Sequence, residues 1–154
     1  MEKNHILIIS LLIIIIIAII GGILFITNNS IEEVTVYNNT IDGVGTFNST
    51  NVTNFILDDS SNDIQTNYLA NDSIAQISTT SSSSAIEVTT SEAERVNDSP
   101  EGHTIYKDTA NIGEHKGEVR YFSILKDNDK ERYIMISTDN FNLTSMIVDT
   151  FTIF

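Results

Sequence analysis

Residues whose types could do chemistry are few in this chain, and the first group lies between 103 and 118. His103, Glu114 and His115 could meet across a hairpin over that stretch, and imidazole nitrogen with carboxylate oxygen is ordinary zinc chemistry. A zinc site needs three or four convergent ligands, and this spacing follows no known ligand pattern. The expectation is therefore that His103 opens a strand, that Glu114-His115-Lys116 is a solvated loop, and that there is no metal residue. The same histidines offer a second chemistry. An envelope hydrolase could use His103 or His115 as a base beside a carboxylate, which requires one of them in a concave pocket next to Asp or Glu.

Two acidic loops carry the next signal. Asp127-Asn128-Asp129-Lys130-Glu131 begins like a calcium loop. Its sixth position is Arg132 where glycine makes the sharp turn, and its twelfth is Thr138 where glutamate supplies two ligands. A polar hairpin turn is expected instead. Asp58-Asp59-Ser60-Ser61-Asn62-Asp63 is similar, and its carboxylates could hold calcium weakly at a surface. Seven N-x-S/T sequons form the third signal: Asn28, Asn38, Asn48, Asn51, Asn71, Asn97 and Asn142. Asn97 is weakened by Pro100 close behind, and Asn142 competes with a role as helix cap. No nucleophile elbow, phosphate loop or H-E-x-x-H is present, and Gly43-Val44-Gly45 lacks the third glycine of a dinucleotide fingerprint. No catalytic residue and no cofactor is implied.

Composition narrows the classes further. The chain has 154 residues, 21 acidic against 8 basic, and no cysteine. Nothing neutralises a run of phosphates, so nucleic acid is not an expected partner. Disulfides, thiolate metal sites and a cysteine nucleophile are excluded. The mean hydropathy of +0.02 resembles a soluble protein, but it averages two unlike populations.

One population is Ile6 to Ile26, ILIISLLIIIIIAIIGGILFI, in which Ser10 is the only polar side chain. At helical rise it spans roughly 31 Å, the thickness of a hydrocarbon core. It is too long for the apolar region of a cleaved signal, and Phe25-Ile26-Thr27 offers no small-residue cleavage pattern. A transmembrane helix at 6–26 in the lipid bilayer is the expectation, with a cytoplasmic N-terminus at 1–5. Lys3 precedes the run and no Lys or Arg follows until Arg95, which by the positive-inside rule places 27–154 outside the cytoplasm. Ala18 and Gly22 form a small-xxx-small pair, a weak dimerisation signal.

The other population holds 20 acids and 7 bases. Residues 27–32 read as a linker and 33–154 as one extracytoplasmic α+β domain. Ser, Thr and Asn fill 34 of the 74 positions from Thr27 to Pro100, so a stalk over part of 27–100 is the alternative. Strands are expected at Glu33–Tyr37, Val44–Phe47, Asn54–Leu57, Thr66–Leu69 and Ser73–Ser78, with a turn at Asp42-Gly43. Ser84 with Glu87 fits a capping box opening a helix, and a strand over Ile86–Val88 competes with it. His103–Lys107, Glu118–Lys126 and Glu131–Thr138 should be strands, the last two joined as a hairpin. Asn142 should cap a helix bearing Leu143, Met146 and Ile147, followed by a short strand at Thr152-Ile153-Phe154.

These features resemble a known plan. An Ile-rich helix, a strand opening VTVYN and a β-rich body are similar to small single-pass surface proteins of methanogenic archaea. GHTIYKDTANIGEHKGEVRYFSI, the hairpin to ERYIMIST and the close VDTFTIF resemble the C-terminal half of their domains, which are similar to PsbP-like α+β folds. The likeness spans Glu33 to Phe154 and is specific from Gly102 on. It implies an antiparallel sheet packed on helices and carries over no site residue. The function expected is display of an acidic domain in a binding or structural role toward an envelope component. The alternatives are the hydrolase, or an accessory subunit of a membrane complex docking through an apolar patch at Tyr121, Ile124, Tyr133 and Ile134.

Overall fold

Turn chemistry starts the fold where the spacing placed it. Gly43 adopts φ +71°, open to glycine, and the Val44 N–H closes the turn on the Ile41 carbonyl at 3.0 Å. The computed structural model describes residues 34–50, 52–70, 75–109 and 117–154. The apolar run 6–26, residues 27–32 expected as a linker, and Glu114 and His115 lie outside them. Among the described residues no helix is long and apolar enough to cross a membrane.

The described chain is α+β, with two antiparallel sheets and two helices. Strands β1 (Val36–Ile41) and β2 (Gly45–Thr50) flank the Gly43 turn, and β10 (Thr152–Ile153) pairs with the far side of β2. The second sheet takes β3 (Ile56–Leu57), β4 (Gln65–Leu69), β5 (Ala75–Thr80), β6 (Glu94–Asp98), β7 (Thr104–Thr109), β8 (Val119–Asp127) and β9 (Arg132–Thr138) in the order β3-β4-β5-β9-β8-β7-β6. Helix α1 (Ser83–Glu92) joins β5 to β6, and α2 (Phe141–Thr150) precedes β10. Because every neighbouring pair is antiparallel, β5 and β6 run the same way four positions apart, and α1 is the crossover between them.

The core follows from alternation. Ala75 and Ile77 on β5 and Ile134 and Ile136 on β9 share one face. They join Ile41, Val44, Phe47 and Val52 from the first sheet and its flank, and Leu143, Ile147 and Val148 from α2. Helix α2 packs against β2, β8 and β9, so it belongs to both sheets. Phe47, 1% exposed, stacks on Phe151 at 5.3 Å and meets Phe55 edge-on at 5.1 Å. Gly45 makes this possible. A Cβ there would stand 2.5 Å from the Phe151 ring and from the Thr152 carbonyl.

Several boundaries differ from expectation. The first strand starts at Val36 rather than Glu33, and Val34 and Val36 are exposed. Their alternation reports no buried face, because the inward residues of β1 include Asn39 and Ile41. The hydroxyl run does not form a stalk at its peak. Ser78 to Thr80 finish β5, Ser82 caps α1 by accepting from the Ala85 N–H at 3.2 Å, and Ser83-Ser84 open the helix. The helix reading thus holds over the strand at Ile86–Val88, with its cap two residues earlier than Ser84. Strand β6 at Glu94–Asp98 had no apolar signal, since all five residues are exposed. Asn140, not Asn142, caps α2, accepting from the Asn142 and Leu143 N–H groups at 2.8 and 3.2 Å. Thr138 fixes that cap, its Oγ1 donating to the Asn140 carbonyl at 2.8 Å and meeting Thr144 Oγ1 at 2.8 Å.

Ile147→Ala should cost about 2–5 kcal/mol, since the residue is fully buried where helix and both sheets meet, and Asn140→Ala about 1 kcal/mol. Ile56→Ala, 60% exposed on the edge strand, should change stability by less than about 0.5 kcal/mol. Urea denaturation followed by tyrosine fluorescence tests all three. Comparable losses at Ile56 and Ile147 would refute this placement of the core.

Candidate functional site

A polar junction ties the two sheets together. The β8–β9 hairpin expected over Asp127–Lys130 forms, and Asp127, 3% exposed, ends β8. Its Oδ1 accepts the Asp129 and Lys130 N–H groups at 3.2 Å each, and its Oδ2 accepts from Arg132 Nε at 2.8 Å. Arg132 Nη2 and Lys130 Nζ then both donate to the Gly43 carbonyl, at 2.7 and 2.9 Å. One hairpin of the second sheet thereby grips the turn of the first. Burial raises the Asp127 carboxyl. The hydrogen bonds from Arg132 and the Lys130 N–H, with the Arg132 charge, outweigh it and hold the carboxyl below its ordinary range. This loop holds its own cations and N–H donors where a calcium loop would present free oxygens.

The other acidic loop is also tied internally. Asp58 Oδ2 accepts the Ser60 hydroxyl and, at 3.1 Å, the Ser60 N–H. The Ser60 hydroxyl holds Asp58 below the usual carboxylate range. Asn62 Oδ1 accepts the Ile64 and Gln65 N–H groups at 2.9 and 3.0 Å. Among the described residues no three His, Cys, Asp or Glu side chains converge as metal ligands.

His103 sits half-buried just before β7. Its backbone is engaged: the N–H donates to Ser99 Oγ at 3.1 Å, and the carbonyl accepts the Ser99 N–H at 2.8 Å. Ser99, 5% exposed, donates its hydroxyl to Asp149 on α2. The carboxylate at this corner therefore serves the serine. The imidazole makes no hydrogen bond or ion pair with a described residue, and His103 lines neither of the two large grooves below. Sequence reasoning missed Ser99 and Asp149, 50 residues apart, because neither stands in a motif.

One groove, of about 470 Å³, lies where the N-terminal turn of α2 faces the first sheet. Val52 and Leu143 line its buried part, and Asp139, Asn140 and Asn142 supply polar groups. A second, of about 430 Å³, is polar and lined by Ser81, Ser83, Lys126, Asn128, Glu131 and Tyr133. The second groove sets the Ser81 and Ser83 hydroxyls in one lining with Lys126 and Glu131, and both grooves offer surfaces for contact and hydrogen bonding. The apolar patch that an accessory subunit would use does not form. Ile134 is fully buried, and Tyr121 faces the core side with it while Ile124 and Tyr133 lie on the opposite face.

The sequons divide in the same way. Asn38 and Asn48 face each other across the β1–β2 ladder, and Asn38 Nδ2 donates to Asn48 Oδ1 at 3.1 Å. Asn97 is exposed on β6 and Asn142 is exposed in the first turn of α2. Asn28, Asn51 and Asn71 lie outside the described residues. No family model matches this chain, and no curated protein or solved structure is significantly similar to it.

The sign of the Asp127 shift gives an acid-stability test. A carboxyl held below its ordinary 3.8 stabilises the fold above that value, and the contribution is lost as the pH falls through the folded value. Asp127→Asn should lower stability at neutral pH and flatten the decline below about pH 4. Urea midpoints from pH 2 to 7 check this. An unchanged acid slope in the variant would exclude the buried pair as its source.

Proposed function

We propose that this chain is a single-pass, membrane-anchored surface protein that displays an acidic α+β domain outside the cytoplasm, in a binding or structural role toward the cell envelope. The observation that carries the reading is the uncharged run Ile6–Ile26, preceded by Lys3 and followed by no basic residue until Arg95. Two features of the domain support it. The charge surplus of 20 acids against 7 bases lies beyond the apolar run, where it keeps a tethered domain soluble and apart from its neighbours. The described side chains tie the two sheets together through Asp127, Arg132 and the Gly43 carbonyl, which gives the displayed domain a fixed surface.

Protease added to intact cells should remove the domain, while the protein stays with the membrane pellet through alkaline carbonate washing. Survival of residues 27–154 until the cells are lysed would reverse the orientation. Release of the uncleaved chain by carbonate would remove the anchor.

A further inference from the structure

We propose that the outer face of the first sheet is a glycan attachment site, and that among the described sequons Asn38 is the one modified in the folded domain. The inference rests on the topology proposed above. Its own ground is that a sequon is read as a pair, the asparagine carboxamide and the hydroxyl two residues on, so both must be reachable from outside at once. The four described sequons differ in that property. At Asn142 the asparagine is exposed but Thr144 is fully buried, its Oγ1 meeting Thr138 Oγ1 at 2.8 Å and the Tyr121 carbonyl at 3.2 Å. At Asn97 the hydroxyl partner is Ser99, 5% exposed and bonded to Asp149. Reading either would require the α2 packing to open. At Asn48 both residues are half-buried on the central strand β2, and the Asn48 backbone is tied to Thr150 Oγ1 at 2.9 Å. Only at Asn38 are the asparagine and its hydroxyl partner, Thr40, both exposed. They lie on one face of the edge strand β1, two residues apart and pointing the same way.

The surroundings suit a bulky polar group. The outward residues of this sheet include Asn38 and Thr40 on β1, Thr46 and Asn48 on β2, and Thr152 on β10, all uncharged. A sugar set on this face meets amides and hydroxyls, with the exposed Val36 beside them, and displaces no core side chain. The transfer needs a lipid-linked glycosyl phosphate as donor. The bond from the anomeric carbon to the phosphate oxygen breaks, and the phosphate leaves with its electron pair. The anomeric carbon bonds to Asn38 Nδ2, and one Nδ2 proton passes to solvent, with no oxidation or reduction. The remaining Nδ2 proton can keep the bond to Asn48 Oδ1. A glycan on Asn38 then stands over its direct cross-strand partner, so one of the two sequons is filled and not both.

Glycopeptide mass spectrometry of the full-length protein from membranes of its native host tests this. The expected result is a glycan on Asn38, bare Asn48 on the same molecules, and bare Asn97 and Asn142. Thr40→Val, an exposed change that leaves the asparagine in place, should abolish the modification. Bare Asn38, a glycan on Asn97 or Asn142, or persistence in Thr40→Val would each overturn the inference. Protease shaving of the same cells separates the two ideas. If the domain is shaved from outside and Asn38 is bare, the attachment site alone fails; if the domain is protected, the topology fails with it.

Discussion

Arg132 bridges a carboxylate that the fold has buried and a carbonyl that belongs to the other sheet. Leaving the Asp127 carboxylate in place without its guanidinium would strand a charge at 3% exposure, a far worse state than never having built the pair. The geometry chains the two sheets together in order. Gly43 must take positive φ for the β1–β2 turn, that turn aims a carbonyl at the β8–β9 hairpin, and Arg132 spans from it to Asp127. The guanidinium fork suits the task because its separate N–H groups serve two acceptors with one rigid plane.

The apolar half of the junction obeys a similar constraint of shape. Phe47 needs Phe151 stacked on it, Phe151 needs the β10 backbone close to β2, and that approach needs Gly45 to lack a side chain. Helix α2 closes the arrangement from the side, its first turn fixed by Asn140 and Thr138, its last near β2 through Thr150. Polar ties at one end and aromatic stacking in the middle hold the same pair of sheets.

How far the sequence revealed this depends on which residues carried each feature. Strands β8 and β9 were legible because ILK and YIMI concentrate apolar and β-branched residues beside an obvious polar turn. Helix α2 was legible through Leu143 and Ile147, yet its cap was misplaced. Asn140 and Asn142 are equally good caps by type, and only the buried Thr138–Thr144 pair decides between them. Strand β6 was invisible because an edge strand with both faces exposed needs no apolar pattern. The division into two sheets was equally hidden, since it rests on Gly45 and on Asp127–Arg132–Gly43, contacts between residues far apart in the chain. The histidines drew attention by type alone, and the corner where His103 lies turned on Ser99 and Asp149, two residues that advertise nothing singly.

The pairing of Thr46 with Thr152 has a consequence for synthesis. A chain emerging from its N-terminus makes β1 and β2 early, but β2 must wait more than a hundred residues for its second neighbour. Until then Phe47 has no Phe151 to cover it, and the central strand of the first sheet is an open edge. The β1–β2 hairpin is thus finished first and covered last, with Phe47 waiting on the end of the chain. A partner that shelters the β1–β2 hairpin during that interval would act on the rate of folding without appearing anywhere in the finished molecule.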